Sequence, residues 1–182
     1  MIALTLGVVL WWAAHLFKRL APQTRARMGD KGKGPVTLIL LVAIGAMIFG
    51  YKTAEPTYLY SLPPWSLHLN NTLMLIAVIL MGAGQSRGRV RSWFSHPMLL
   101  GVATWATAHL LVNGDVPSLV LFGGLGIWAL VEMRVINRAD GPPARPEPGP
   151  LSGDIRLLLI SLVVFAAFTF IHQLVGPWPF PS

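Results

Sequence analysis

The sequence contains no cysteine and very little charge. Only 12% of its 182 residues are charged and 54% are hydrophobic, whereas charged residues make up about 25% of an average soluble domain. Without cysteine, no disulfide, cysteine-ligated zinc site or thiol nucleophile can form, and the redox compartment is not indicated. Because so few charged residues could hardly cover a water-facing surface, the composition predicts an integral membrane protein.

Acidic residues are scarce, with seven against fourteen lysines and arginines. Only Asp115, Glu132 and Asp154 stand near apolar segments, and each is expected at a segment end. A catalytic zinc or di-iron site usually draws on carboxylate ligands, so the sequence gives such a site little support. No Ser-His-Asp arrangement and no phosphate-binding loop stands out. The five histidines are therefore the main candidate functional side chains.

Six apolar segments organise the chain. They run over residues 2–20, 36–51, 67–83, 98–112, 118–136 and 155–175. A helix needs roughly 20 apolar residues to span a bilayer, with about 17 as the lower limit, so the second and fourth segments would borrow flanking residues. The predicted fold class is all-α, a polytopic membrane protein with six transmembrane helices in one bundle. Residues 1–182 are expected to form a single transmembrane domain.

Basic residues fall between alternate segments, and this pattern predicts the orientation. All fourteen lysines and arginines except Lys52 lie at or between the ends of segments one and two, three and four, or five and six. The positive-inside rule places these connections in the cytoplasm and both termini outward, in the periplasm of a Gram-negative host. These residues are expected to meet anionic lipid head groups, and nucleic acid is not an expected partner.

The stretch with the most candidate functional side chains runs from Ser95 to Asp115. It includes His109, which lies deep in the fourth segment with Trp105 four residues before it and Asn113 four residues after it. An ionisable ring inside an apolar span is costly and marks a site by default. Asn113 and Asp115 are interpreted as a turn and an N-cap for the fifth segment, with a proton-carrying role as the alternative.

Two histidines from different helices are predicted to ligate a haem b iron. His96 and His109 are thirteen residues apart, about 20 Å along a helix, so they are not expected to share one metal. Neutral imidazoles facing each other across a helical bundle are a common way to hold haem. Trp105, Trp11, Gly101 and Ala108 would suit the pocket walls, and Lys18 and Arg19 lie one turn beyond His15, where they could meet the haem propionates.

Two ligand pairs remain open at this point, His109 with His15 and His109 with His172. His15 lies in the inner half of the first segment, with Trp11 four residues before it. His172 lies near the outer end of the sixth segment, so it matches His109 better in depth than His15 does. His68 and His96 stand at segment ends, where an interfacial histidine is ordinary.

The run HPMLLGVATWATAHLLVNGDVPSLVLFGGLGIWAL, residues 96–130, resembles the signature of the NnrU family. The first segment, with His15 and Leu16, resembles the same family, and the likeness extends over essentially the whole chain. These bacterial membrane proteins are named for genes associated with nitrite and nitric oxide reduction. The family is related to the plant 15-cis-zeta-carotene isomerase, a haem b protein. By that resemblance, its two haem-ligating histidines correspond to His15 and His109. The resemblance therefore favours His15 with His109 as the ligand pair, which is the prediction, and His109 with His172 is the rival pair.

Two residues depart from the related sequences. Ala106 stands where the isomerase has a cysteine three residues before the second histidine, so exchange of that ligand cannot operate here. Ser95 stands where the family commonly has an arginine.

The resemblance implies a haem b protein of the bacterial inner (cytoplasmic) membrane, associated with nitrite or nitric oxide reduction and with a redox or electron-transfer role. Its expected partners are membrane lipid and a respiratory or denitrification enzyme. Two alternatives remain: a membrane isomerase that acts on a polyene such as a carotenoid, and a haem-free assembly factor for a respiratory enzyme.

Overall fold

Seven α-helices make up most of the computed structural model, which describes residues 1–176 and 178–180. They are α1 (Ile2–Leu20), α2 (Pro22–Arg27), α3 (Lys33–Thr53), α4 (Trp65–Ala83), α5 (Pro97–Leu110), α6 (Val116–Ala139) and α7 (Leu151–Val175). The described residues contain one isolated β-bridge and no strand, which confirms the all-α class. The predicted domain, 1–182, also includes residues 177, 181 and 182, which lie outside the described residues.

Five of these helices are long and apolar enough to cross a membrane: α1, α3, α4, α6 and α7. Membrane character is therefore supported, but the predicted count of six spans is not confirmed. The fourth predicted segment is α5, which has 14 residues and is therefore about 21 Å long, against a hydrocarbon core of about 30 Å. Flanking residues do not lengthen this helix, because it begins at Pro97 and residues 111–115 form a turn and an irregular segment.

Apart from the six-residue α2, the helices pack side by side in the order α3, α1, α6, α5, α4, α7. This row is curved, because α3 and α7 at its two ends line the same cavity. Glycines allow the closest approaches within it. A Cβ on Gly7 of α1 would lie 2.7 Å from the side chain of Met47, and one on Gly101 of α5 would lie 2.7 Å from that of Met81. Small residues at such contacts are typical of membrane helices.

The two ends of the bundle differ in charge. One end, called the basic end here, contains residues 21–32, 84–96 and 140–150. There the Arg19 guanidinium lies 3.1 Å from Asp140 Oδ2, and Gly149 N–H donates to Gly88 O at 3.4 Å. The other, called the loop end, brings together residues 54–64 and 111–115. There Leu59 N–H donates to Gly114 O at 2.8 Å and Val116 N–H donates to Thr57 O at 2.9 Å. Apart from Lys52, every lysine and arginine lies toward the basic end.

Candidate functional site

A cavity of about 900 Å³ lies between α3, α4, α5, α6 and α7, toward the loop end. Each helix contributes one face. Positions 165, 168, 169 and 172 of α7 line it with the spacing of a single helical stripe, as do positions 105 and 109 of α5. Most of the lining is apolar or aromatic. Pockets of about 300–1,000 Å³ hold small molecules and cofactors, so this cavity is large enough for either.

His109 projects into this cavity from the last turn of α5. Its Nδ1 lies 3.0 Å from the carbonyl oxygen of Trp105. A carbonyl oxygen can only accept a hydrogen bond, so Nδ1 carries the ring proton and Nε2 keeps its lone pair. The ring also stacks on Phe122, with centroids 4.3 Å apart. A metal-ligating histidine typically donates its other ring N–H to an acceptor in this way.

Phe122 reaches His109 through an irregularity at the start of α6. Residues Leu119–Gly123 form a π-helical turn, and turns of this kind are frequent at functional sites. Phe122 lies 5.1 Å from Trp105 and 6.0 Å from Tyr51, measured between ring centroids. The turn therefore assembles an aromatic wall beside His109.

His172 lines the same cavity from α7. Segment 178–180 folds against the cavity at the loop end, where the Asn71 side-chain amide donates to the carbonyl oxygen of Pro179 at 3.0 Å. His109 and His172 are thus brought together by helices α5 and α7.

Sequence reasoning missed several polar side chains at the cavity mouth. Asn70 and Asn71 lie on α4, and Tyr51 and Lys52 lie on α3. Asn70 is only 7% exposed and donates to the side chain of Asn71 at 3.0 Å. Two adjacent asparagines inside an apolar segment are a signal that the sequence does contain.

His15 lies in a different aromatic cluster, between α1 and α6. Its ring centroid is 4.2 Å from that of Trp11 and 4.6 Å from that of Trp128. Its Nδ1 lies 3.0 Å from Trp11 O, so its Nε2 also keeps a lone pair. Within the described residues, neither His15 nor Trp11 belongs to the cavity lining. The structure thus places His109 in one cavity with His172, the rival ligand, and not with His15.

Arg19 is engaged in two ion pairs on the other side of the bundle. Its guanidinium lies 3.0 Å from Glu132 Oε1 and 3.1 Å from Asp140 Oδ2. Glu132, expected at a segment end, instead lies seven residues before the end of α6 and is 5% exposed. Lys18 is exposed. Neither basic residue lies among the described residues that line the cavity.

The remaining histidines lie away from the cavity. His68 is exposed, and His96 Nε2 makes a 2.7 Å hydrogen bond to Asn137 Oδ1 at the basic end. Across residues 1–176 and 178–180, no group of three or more histidines and acidic residues could hold a metal ion by itself.

These features define an all-helical membrane protein with a histidine-containing apolar cavity. The chain belongs to the NnrU family, because the family model described as NnrU protein matches residues 3–179, nearly its whole length. The likeness seen in residues 96–130 is thereby confirmed. Comparisons with curated proteins and with solved structures gave no match.

Proposed function

We propose that this membrane protein binds haem b in the cavity between α3, α4, α5, α6 and α7. One observation carries the proposal: His109 and His172, from two different helices, line a single apolar cavity of about 900 Å³. Two imidazoles presented across a helical bundle are the usual donor set for a haem of this type.

The residues present fit this cofactor. The Nε2 atom of His109 keeps its lone pair because Nδ1 is anchored on the Trp105 carbonyl, the arrangement typical of metal-ligating histidine. Trp105 and Phe122 offer flat aromatic surfaces beside it. Lys52 is the basic residue in the described lining, and its ammonium would meet a propionate at the loop end. Bound haem b would supply one-electron redox chemistry.

The ligand pair proposed is therefore His109 with His172. Lys52 takes the propionate-binding role that the sequence suggested for Lys18 and Arg19, since Arg19 is committed to Glu132 and Asp140. His15 remains the competing ligand because its Nε2 also keeps a lone pair.

The cellular role proposed is electron transfer linked to nitrite or nitric oxide reduction, in the inner membrane of a bacterium. Membership of the NnrU family supports this proposal, because the resemblance described in the sequence analysis implies an association with nitrite and nitric oxide reduction. The partner would be a respiratory or denitrification enzyme that exchanges electrons with the haem.

The deciding experiment is an absorption spectrum of the full chain, expressed with added haem precursor and purified in detergent. We expect a Soret band that shifts on dithionite reduction and a sharp reduced α band of the bis-histidine type. Protein that lacks a Soret band under these conditions would overturn the proposal. The haem-free assembly role would then lead, and copurification with a respiratory enzyme would be its test.

A second candidate function, isomerisation of a membrane polyene, is supported by the shape of the cavity. The helices that end the row, α3 and α7, both line it, and their exposed apolar side chains such as Ile48 and Phe168 suit a lipid environment. A polyene dissolved in the bilayer would enter between them. We expect a cis-polyene in proteoliposomes to be converted to its trans isomer, with Trp105→Leu slowing the conversion and Trp93→Leu, at an exposed site, leaving it unchanged. An unchanged isomer ratio would exclude this activity.

In the proposed topology the chain crosses the membrane six times: five helices span it by themselves, and the short α5 together with residues 111–115 makes the remaining crossing between α4 and α6, with the basic end in the cytoplasm. The positive-inside pattern supports it. Since the chain has no cysteine, single cysteines can report orientation without background. We expect Ser61→Cys, at the loop end, to react with an impermeant maleimide in intact cells, and Ser152→Cys, at the basic end, to react only after lysis. The reverse labelling pattern would contradict this topology.

A further inference from the structure

A chain of three hydrogen-bonded side chains leads from the cavity toward the loop end. Tyr51 lines the cavity, and its hydroxyl oxygen lies 2.9 Å from Ser118 Oγ. Ser118 Oγ in turn lies 2.8 Å from Asp115 Oδ2. Ser118 is completely buried and Asp115 is 8% exposed. The three side chains therefore lead from the cavity through the protein interior to Asp115, which precedes α6 at the loop end.

Chemistry fixes the direction of these hydrogen bonds. A carboxylate can only accept, so Ser118 donates its single hydroxyl hydrogen to Asp115. Tyr51 must then donate its hydroxyl hydrogen to Ser118. The lone pairs of the Tyr51 oxygen are left to accept a hydrogen bond from a group in the cavity.

The cap of α6 does not account for this arrangement. Asp115 caps the helix with its other oxygen, since Oδ1 accepts from Ser118 N–H at 2.9 Å. The link from Oδ2 through Ser118 to Tyr51 on α3 is additional to that cap. An ordinary N-cap would not need to reach a side chain on another helix at the cavity wall.

Asp115 meets the loop end beside a second, smaller cavity of about 320 Å³. Gly114 and Tyr58 line this cavity, and Tyr58 pairs with Asp115 through the isolated β-bridge. Asp115 is thus placed between the interior chain and the surface of the protein.

We propose that Tyr51, Ser118 and Asp115 form a proton relay between the cavity and the loop end. A hydroxyl group or water bound in the cavity gives its proton to the Tyr51 oxygen, Tyr51 passes its hydrogen to Ser118, and Ser118 passes its hydrogen to Asp115. Three O–H bonds break and three form, so one proton moves from the bound group to the Asp115 carboxylate. Asp115 then releases it at the loop end.

Other charged or titratable groups surround the relay. Tyr58 and Tyr60 face Asp115 from residues 54–64, while Lys52, His109 and His172 line the cavity with Tyr51. Burial, together with the nearby Asp115 carboxylate, raises the pKa of Tyr60, which keeps its hydroxyl protonated and donating to Leu110 O at 2.6 Å. Tyr60 is therefore a matched control: a tyrosine near Asp115 that lies outside the relay.

The relay rests on the proposed function only for the event that drives it, oxidation of the bound haem, which adds positive charge to the cavity. Stopped-flow oxidation of the reduced full-length holoprotein with a pH-indicator dye measures proton release. We expect Tyr51→Phe and Ser118→Ala to slow release at least tenfold. Ser118→Thr, which keeps a hydroxyl, and Tyr60→Phe should stay within twofold of wild type. Release from Tyr51→Phe at the wild-type rate would overturn the relay.

A haem-free measurement separates failure of the relay from failure of haem binding. In Thr169→Cys, the only thiol of the chain lies in the cavity lining, and its thiolate absorbs in the ultraviolet. After an upward pH jump, we expect thiolate to form at least tenfold more slowly when Tyr51→Phe is added and at an unchanged rate when Tyr60→Phe is added. Equal rates in all three proteins would overturn the relay, whatever the absorption spectrum shows.

Discussion

Substitution of His109 by alanine is expected to abolish stable haem binding. His109 is the histidine that both the family likeness and the cavity select, and its ring is held by the Trp105 carbonyl and by stacking on Phe122. Loss of a residue that merely orients a metal ligand typically costs about 10–100-fold in metal affinity, so loss of the ligand itself should lower haem content by about tenfold or more. The ratio of Soret to protein absorbance measures this effect. His96→Ala, which removes a histidine bonded to Asn137 outside the cavity, should leave the ratio unchanged.

The same series identifies the second ligand. We expect His172→Ala to leave one axial ligand, which changes the low-spin spectrum to a five-coordinate, high-spin one, and added imidazole to restore the low-spin form. His15→Ala should keep the low-spin spectrum, because His15 lies against Trp11 and Trp128 outside the cavity. The opposite result, with His15→Ala losing the low-spin form and His172→Ala keeping it, would assign the site to α1 and α5 and would contradict the pair proposed here.

Removal of the Arg19 guanidinium is expected to destabilise the bundle strongly. Glu132 is 5% exposed, and in the described structure its Oε2 has no hydrogen-bond partner, so Arg19 is the nearby positive charge that offsets its burial. Breaking a buried ion pair from one side typically costs about 3–5 kcal/mol, because the remaining charge stays buried without compensation. Arg19→Met should therefore lower the midpoint of detergent-induced unfolding, followed by circular dichroism in mixed micelles containing sodium dodecyl sulfate.

A second substitution separates charge from packing. Adding Glu132→Gln to Arg19→Met removes the uncompensated charge, and we expect most of the lost stability to return. Lys33→Met is the control, since it breaks an ion pair with Asp30 that is almost fully exposed and should shift the midpoint little. If the double variant is as unstable as Arg19→Met alone, the contribution of Arg19 is packing of its side chain and not neutralisation of Glu132.

Helix positions were largely predictable because local composition determines them. The first apolar segment, residues 2–20, coincides with α1, and the apolar parts of α3, α4, α6 and α7 were found with ends displaced by a few residues. A helix that faces lipid needs a continuous apolar stretch, and that property is written in adjacent residues. The fourth segment, predicted over residues 98–112, was also found, as α5 (Pro97–Leu110), but its 14 residues leave it outside the five helices that are long and apolar enough to cross a membrane.

The candidate site was predictable only in part. His109, Trp105 and their i, i+4 relation follow from helical spacing. The π-helical turn that brings Phe122 onto His109 gave no sequence signal, and Tyr51 and Ser118 looked like ordinary helix residues. Glu132 lies near the end of the predicted segment 118–136, so it looked like a segment-end acid. Its partner, Arg19, lies 113 positions earlier in the chain and therefore gave no local signal.

The sequence by itself determined that this is a membrane protein, where its helices lie and which of its connections are basic, because hydropathy and charge act residue by residue. Tertiary structure alone decided which histidines share a cavity. The helices pack in the order α3, α1, α6, α5, α4, α7, which no local pattern specifies, because it depends on which surfaces fit together. That order separates His15 from the cavity and places His172, from the last helix, in the same cavity as His109.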